Sequence, residues 1–159
     1  MRNNTVRLEE LMPLIRERLA AGESVRFSPH GTSMLPMLKD GRDQVILSPL
    51  PEKLKKYDLP LYQRKNGQYV LHRIVKEKDD YTCIGDNQFV PEKGLRHDQM
   101  IGVVTHFVRK GKEYSTECFR YKAYCRFWCT VRPFRHFMKS VHGVLGHIKR
   151  QIGSWIRGK

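Results

Sequence analysis

Nowhere in the sequence do about 18 apolar residues run together, so no segment reads as a membrane-crossing helix. The first ten residues, MRNNTVRLEE, are polar and charged where a secretory leader would be apolar. Both absences lead to the expectation of a cytoplasmic protein, with peripheral contact at the inner membrane face as a further option. Cysteine is scarce: Cys83, Cys118, Cys125 and Cys129 are too few for a disulfide scaffold, and no His/Cys pair completes a zinc-binding spacing. Reduced thiols, no metal and no cofactor are expected. Repeats and low-complexity linkers are missing too, which leaves one domain with a terminal appendage. Acid is missing from the tail. Residues 118–159 hold 10 Lys+Arg and no Asp or Glu, whereas residues 1–117 hold 20 Lys+Arg against 16 Asp+Glu. Most of the formal charge of +14 therefore belongs to the tail, which calls for an anionic partner.

What is present divides into three segments, 1–23, 24–117 and 118–159. Over 5–21, Leu8, Leu11, Met12, Ile15 and Leu19 fall on one stripe of an amphipathic helix. Thr5 can cap it, Pro13 threatens to kink it, and Gly22 ends it. From 24 to 108 the pattern turns to short runs rich in Val, Ile, Tyr and Phe at 25–27, 44–47, 59–63, 69–75, 81–84 and 100–108. Turn-prone clusters separate them, and Asn66-Gly67 is a hairpin signal. Six short strands with little helix between them predict a mainly β, α+β fold: a compact coiled sheet or partly closed barrel.

Residues 118–157 read as helix broken at Pro133. Beyond it Phe134, Phe137, Met138, Val141, Val144, Leu145, Ile148, Ile152, Trp155 and Ile156 recur at steps of three and four, with Arg and Lys on the other side. Such a basic amphipathic helix suits an anionic membrane through 134–157, or a place folded back on the sheet. Nucleic acid fits less well, because the aromatics lie with the apolar face and not among the cations.

Three stretches carry chemistry. In Gly31-Thr32-Ser33-Met34-Leu35-Pro36-Met37-Leu38, glycine and proline bracket a serine and four apolar residues can anchor the loop, so Ser33 is a candidate nucleophile. Without a base within reach, the same residues make an ordinary turn. His72, in Tyr69-Val70-Leu71-His72-Arg73-Ile74-Val75, interrupts an apolar strand with a side chain that can accept a serine proton near neutral pH. Asp86, in Ile84-Gly85-Asp86-Asn87, is a carboxylate at a strand end that can fix the imidazole tautomer, or a turn aspartate bonded to its own backbone.

The order Ser33, His72, Asp86, followed by Ile101-Gly102-Val103-Val104, resembles the signal peptidase I superfamily of serine peptidases, whose fold the self-cleaving SOS-type repressors share. The similarity spans about 24–108 and includes Asp40-Gly41-Arg42-Asp43 after the serine box. It is nearest to the branch with a histidine base. The resemblance implies that Ser33 attacks a peptide carbonyl, that His72 is the general base, and that Asp86 orients or charge-stabilises it. It also implies that the Ser33 backbone N–H helps to hold the oxyanion. In that branch a further aspartate often follows G-D-N; here the region offers Glu92 or Asp98, so Asp86, Glu92 and Asp98 are all open as the acid. Many relatives place a serine where this chain has Gly31.

Three functions follow. The first is a Ser/His endopeptidase acting on leader- or signal-like peptides. The second is a non-catalytic peptidase-like module that binds a peptide or protein, with the basic tail on a membrane or an acidic partner. The third is a self-cleaving repressor-like protein, for which Ala21-Gly22 offers a suitable bond.

Overall fold

The computed structural model describes residues 8–135, 137 and 138. In chain order the elements are helix α1 (Leu8–Ala20), strands β1 (Val25–Phe27), β2 (Gln44–Ser48), β3 (Pro60–Gln63), β4 (Tyr69–Leu71), β5 (Arg73–Glu77), β6 (Tyr81–Ile84) and β7 (Glu92–Leu95), a 3-10 turn (His97–Gln99), β8 (Met100–Arg109), β9 (Lys112–Ser115) and helix α2 (Phe119–Thr130). The strands make two antiparallel sheets. One has the order β1-β2-β8-β3-β4 with β9 also paired to β8; the other is β5-β6-β7. The mainly β, α+β class is as the sequence predicts, and among the described residues no closed barrel forms.

The first sheet contributes to two apolar clusters, and the second sheet shares the second of them with it. Ile15, Leu19, Phe27, Val45, Leu47 and Phe107 lead the first, which α1 covers with Met12, Ile15 and Leu19. Pro13 lies inside α1 on its exposed side, so the helix continues through it while its apolar stripe stays in the core. The proposed cap, Thr5, lies outside the described residues. Leu54, Tyr62, Ile74, Cys83 and Met100 build the second cluster. Asn66-Gly67 does form the hairpin joining β3 to β4, with Gly67 at φ 89, where a side chain would be strained.

The single strand expected over 69–75 is two strands. Leu71 pairs with Leu61 in the first sheet and Arg73 pairs with Ile84 in the second, so the chain changes sheets at His72. Leu71 enters the first cluster and Ile74 the second. A buried imidazole thus sits at the seam between two cores, which is why it interrupts the apolar run.

The first turns of the basic tail belong to the body. Tyr121 and Cys125 of α2 are buried in the first cluster, and the helix stops at Val131, two residues before Pro133. Helical backbone resumes at 132–135. The membrane-binding stripe expected over 134–157 lies almost wholly outside the described residues. Among those described, no helix is long and apolar enough to cross a membrane.

Candidate active site

Ser33 follows β1 in a tight loop with two clamps. On one side Asp40 accepts from the Gly31 N–H at 3.0 Å and contacts His30 Nδ1 at 2.9 Å. Gly31 sits at φ 99, open to glycine. On the other side the Asn87 N–H donates to the Ser33 carbonyl at 2.8 Å, and Asn87 Nδ2 donates to the Thr32 carbonyl at 3.2 Å. Met34, Met37 and Leu38 are buried beneath the loop, while Leu35 is half-buried. The G-D-N turn therefore reaches across the sheets to hold the serine segment.

Gly85 makes that reach possible. A Cβ there would lie 2.6 Å from the Ser33 carbonyl oxygen and 3.1 Å from His72 Nε2. Serine loop and imidazole consequently flank one point in space. They also line one pocket of about 210 Å³, together with Met34, Leu38, Tyr69 and Gln88. Among the described residues the Ser33 hydroxyl and its backbone N–H have no hydrogen-bond partner, and no hydrogen bond joins Ser33 to His72. A hydroxyl, an imidazole and a backbone donor thus share one pocket without a hydrogen bond among them.

His72 is 1% exposed. Its Nδ1 is hydrogen-bonded to the Tyr62 hydroxyl at 3.1 Å and lies 3.2 Å from Glu92 Oε1. Glu92 is gripped in turn by Arg64, whose Nε donates to Oε2 at 2.8 Å and whose Nη2 donates to Oε1. Burial alone would raise the Glu92 carboxyl, but Arg64 holds it below its ordinary value, so it is ionised at neutral pH. A lone pair on Nδ1 would face that carboxylate. The proton accordingly sits on Nδ1, leaving the Nε2 lone pair on the side of Ser33. Burial pulls the His72 pKa down to about 4; Glu92 opposes this and Arg64 adds to it. The imidazole is thus neutral, with an acceptor directed at the pocket.

Of the three acids left open by the sequence, the structure places Glu92 against the imidazole. Asp98 is exposed and paired with Arg96 at 2.7 Å. Asp86 is fully buried, and both of its oxygens take hydrogen bonds at 2.8 Å from Arg73, which is fully buried as well. Tyr124 adds a third bond to Asp86 Oδ2, at 3.0 Å. Arg73 also donates to the Tyr57 carbonyl, Tyr121 Oη, Cys125 Sγ and Met37 Sδ. That array joins α2, the serine loop and the G-D-N turn at one guanidinium. Asp86 makes no hydrogen bond to His72, so its contacts hold the walls of the site together and do not orient the imidazole, while its charge favours the imidazolium form of His72.

Sequence reasoning missed Tyr62, Arg64, Arg73 and Asn87. Tyr62 and Arg64 stand two apart, the period that puts side chains on one strand face, and they reach His72 and Glu92 respectively. A tyrosine and an arginine at that spacing are too common to have pointed to a site.

The fold and pocket define an α+β protein of two antiparallel sheets with a serine and a neutral imidazole meeting at their seam. Compared with known proteins, the chain matches no family model, and no curated protein or solved structure matches it.

Proposed function

We propose that the chain is a serine endopeptidase related to the histidine-base branch of the signal peptidase I superfamily, cleaving leader- or signal-like peptides. The observation that carries this reading is the meeting of Ser33 and His72 around Gly85, with Nδ1 occupied by Tyr62 and Glu92 and Nε2 turned toward the serine loop. In this reading the Ser33 hydroxyl, which shares the pocket with His72, turns to Nε2 when substrate binds. Ser33 Oγ then bonds to the scissile carbonyl carbon as its proton passes to His72 Nε2. The peptide C–N bond breaks, the amine leaves with the proton from Nε2, and an acyl ester remains on Ser33. Water repeats the sequence and releases the acid. Glu92 steadies the transient imidazolium, and the uncommitted Ser33 N–H is available to the oxyanion, a contribution of about 3 kcal/mol per donor in related chemistry.

A fluorophosphonate probe tests the proposal directly. Labelling of the native chain is expected, with none on Ser33→Ala and at least about a hundredfold slower labelling on His72→Ala. One observation favours the alternative of a peptide-binding module without catalysis: Ser33 makes no hydrogen bond to His72. Absence of labelling on a folded native chain assigns the pocket to binding. The self-cleaving reading has less support, since Ala21 and Gly22 close the end of α1 and neither lines the Ser33 pocket.

A further inference from the structure

The inner face of α2 is spent on the body, and its outer face is not. Tyr121 and Cys125 are buried, while Phe119 is 83% exposed and Phe127 63% exposed. At the helical 100° per residue, Phe119, Ala123 and Phe127 fall within a sector of about 80°. Arg120 flanks that sector on one side, Arg126 and Lys122 on the other, and all three are exposed. Lys122 pairs with Glu117 at 2.6 Å, and no acid follows in the sequence. Past the turn at Val131, Phe134 is 66% exposed and Phe137 is exposed as well. Large apolar rings held out between cations are costly in water and match an interface that is anionic outside and apolar within.

We propose that the outer face of α2 docks the protein on an anionic lipid bilayer, with Phe119 and Phe127 entering the acyl boundary and Arg120 and Arg126 meeting the headgroups. Lipid is favoured over nucleic acid by the continuing sequence. Val141, Val144, Leu145, Ile148 and Ile152 recur at steps of three and four, and aliphatic groups dissolve in acyl chains but do not stack on bases. The inner face gives the docking a consequence. Tyr124 and Trp128 bond Asp86, the latter through Nε1 to the carbonyl at 2.8 Å, so α2 is fixed to the turn that holds Ser33. A bilayer bound outside α2 thereby sets the orientation of the pocket to the membrane. This proposal is independent of whether Ser33 is catalytic.

The test is co-sedimentation of the full chain with vesicles of phosphatidylcholine, alone or mixed with phosphatidylserine. Binding is expected only to the mixed vesicles, weakening as salt rises. Phe119→Ser/Phe127→Ser and, separately, Arg120→Gln/Arg126→Gln should each lower the affinity by about tenfold or more. All four side chains are exposed, so the thermal unfolding of both variants should be unchanged. No binding to mixed vesicles at low salt overturns the proposal, as does undiminished binding by the Phe variant. Single-stranded RNA that displaces the vesicles at lower concentration, or a dimer that the Phe variant dissolves, reassigns the face and overturns it too.

Discussion

Glu92 and Asp86 are two carboxylates near one pocket, and their partners divide the work between them. Glu92 lies 3.2 Å from His72 Nδ1, so its charge bears on the imidazolium that the proposed proton transfer from Ser33 would form. Glu92→Gln is expected to slow probe labelling by about a hundredfold at neutral pH while leaving Ser33 in place. The acid limb of the labelling rate gives the sign. In the native chain it should fall around the His72 pKa of about 4. Glu92 raises that pKa, so removing its charge moves the limb to lower pH; a limb that stays put would show that Glu92 does not act through His72. Gly85 makes a second prediction at this scale. Its missing Cβ is 2.6 Å from a backbone oxygen, which cannot swing aside as a flexible side chain would. Gly85→Ala should displace the serine loop and suppress labelling by about tenfold or more, at a stability cost of about 1–3 kcal/mol. Labelling at the native rate in the alanine variant would mean that the loop does not need this close approach. Ser33 and His72 were legible in the sequence because each is a polar residue fixed in an apolar or Gly/Pro-bracketed stretch. The acid was not, because Asp86 and Glu92 differ in partners that lie 13 and 28 residues away in the chain.

Among the elements, α2 and the G-D-N turn are joined through the buried Arg73–Asp86 pair, whose neighbours come from the serine loop, the segment at Tyr57 and α2. Breaking such a pair by removing one partner leaves an uncompensated buried charge, worth about 3–5 kcal/mol. Asp86→Asn should therefore lower the unfolding free energy by that amount, read from the fall in the denaturant midpoint, and Arg73→Met should do likewise. The double variant Arg73→Met/Asp86→Leu, with no charge left to bury, should recover much of the loss. Additive losses in the double variant would mean that the two groups are not coupled. The strands tell how far local pattern carries. Runs at 25–27, 44–47 and 81–84 were readable because their Val, Ile and Tyr content matches a half-buried sheet. Strands β7 and β9, EKGL and KEYS, carry one such residue between them, Tyr114; their pairing with β6 and β8 makes them strands. The break at His72 was hidden for another reason. Leu71 and Ile74 are equally apolar, and nothing in their types says that they face different cores.

For the molecule as a whole, two cores meeting at a buried neutral histidine make stability depend on pH in a defined window. Burial holds His72 near 4 in the folded chain, against an unfolded value of about 6.5. Between those values the unfolded chain binds a proton that the folded chain refuses, so folding loses ground as pH falls. The His72 contribution is fully present above about 6.5 and declines until the folded pKa is reached. Between pH 7 and pH 5 this amounts to about 2 kcal/mol. Glu92, Asp40 and Asp43, held below their ordinary values in the fold, add losses of the same sign at lower pH. Asp58, raised by burial, works in the opposite direction. To isolate the histidine, urea midpoints can be compared at the two pH values for the native chain and His72→Gln. Glutamine keeps a donor for Tyr62 and Glu92 but cannot titrate, and the other six histidines are common to both chains. The variant should begin less stable at pH 7 and lose about 2 kcal/mol less than the native chain on acidification to pH 5. Equal losses in the two chains would move the acid sensitivity elsewhere and deny that His72 is kept neutral by its burial, which is the condition for its lone pair to serve Ser33.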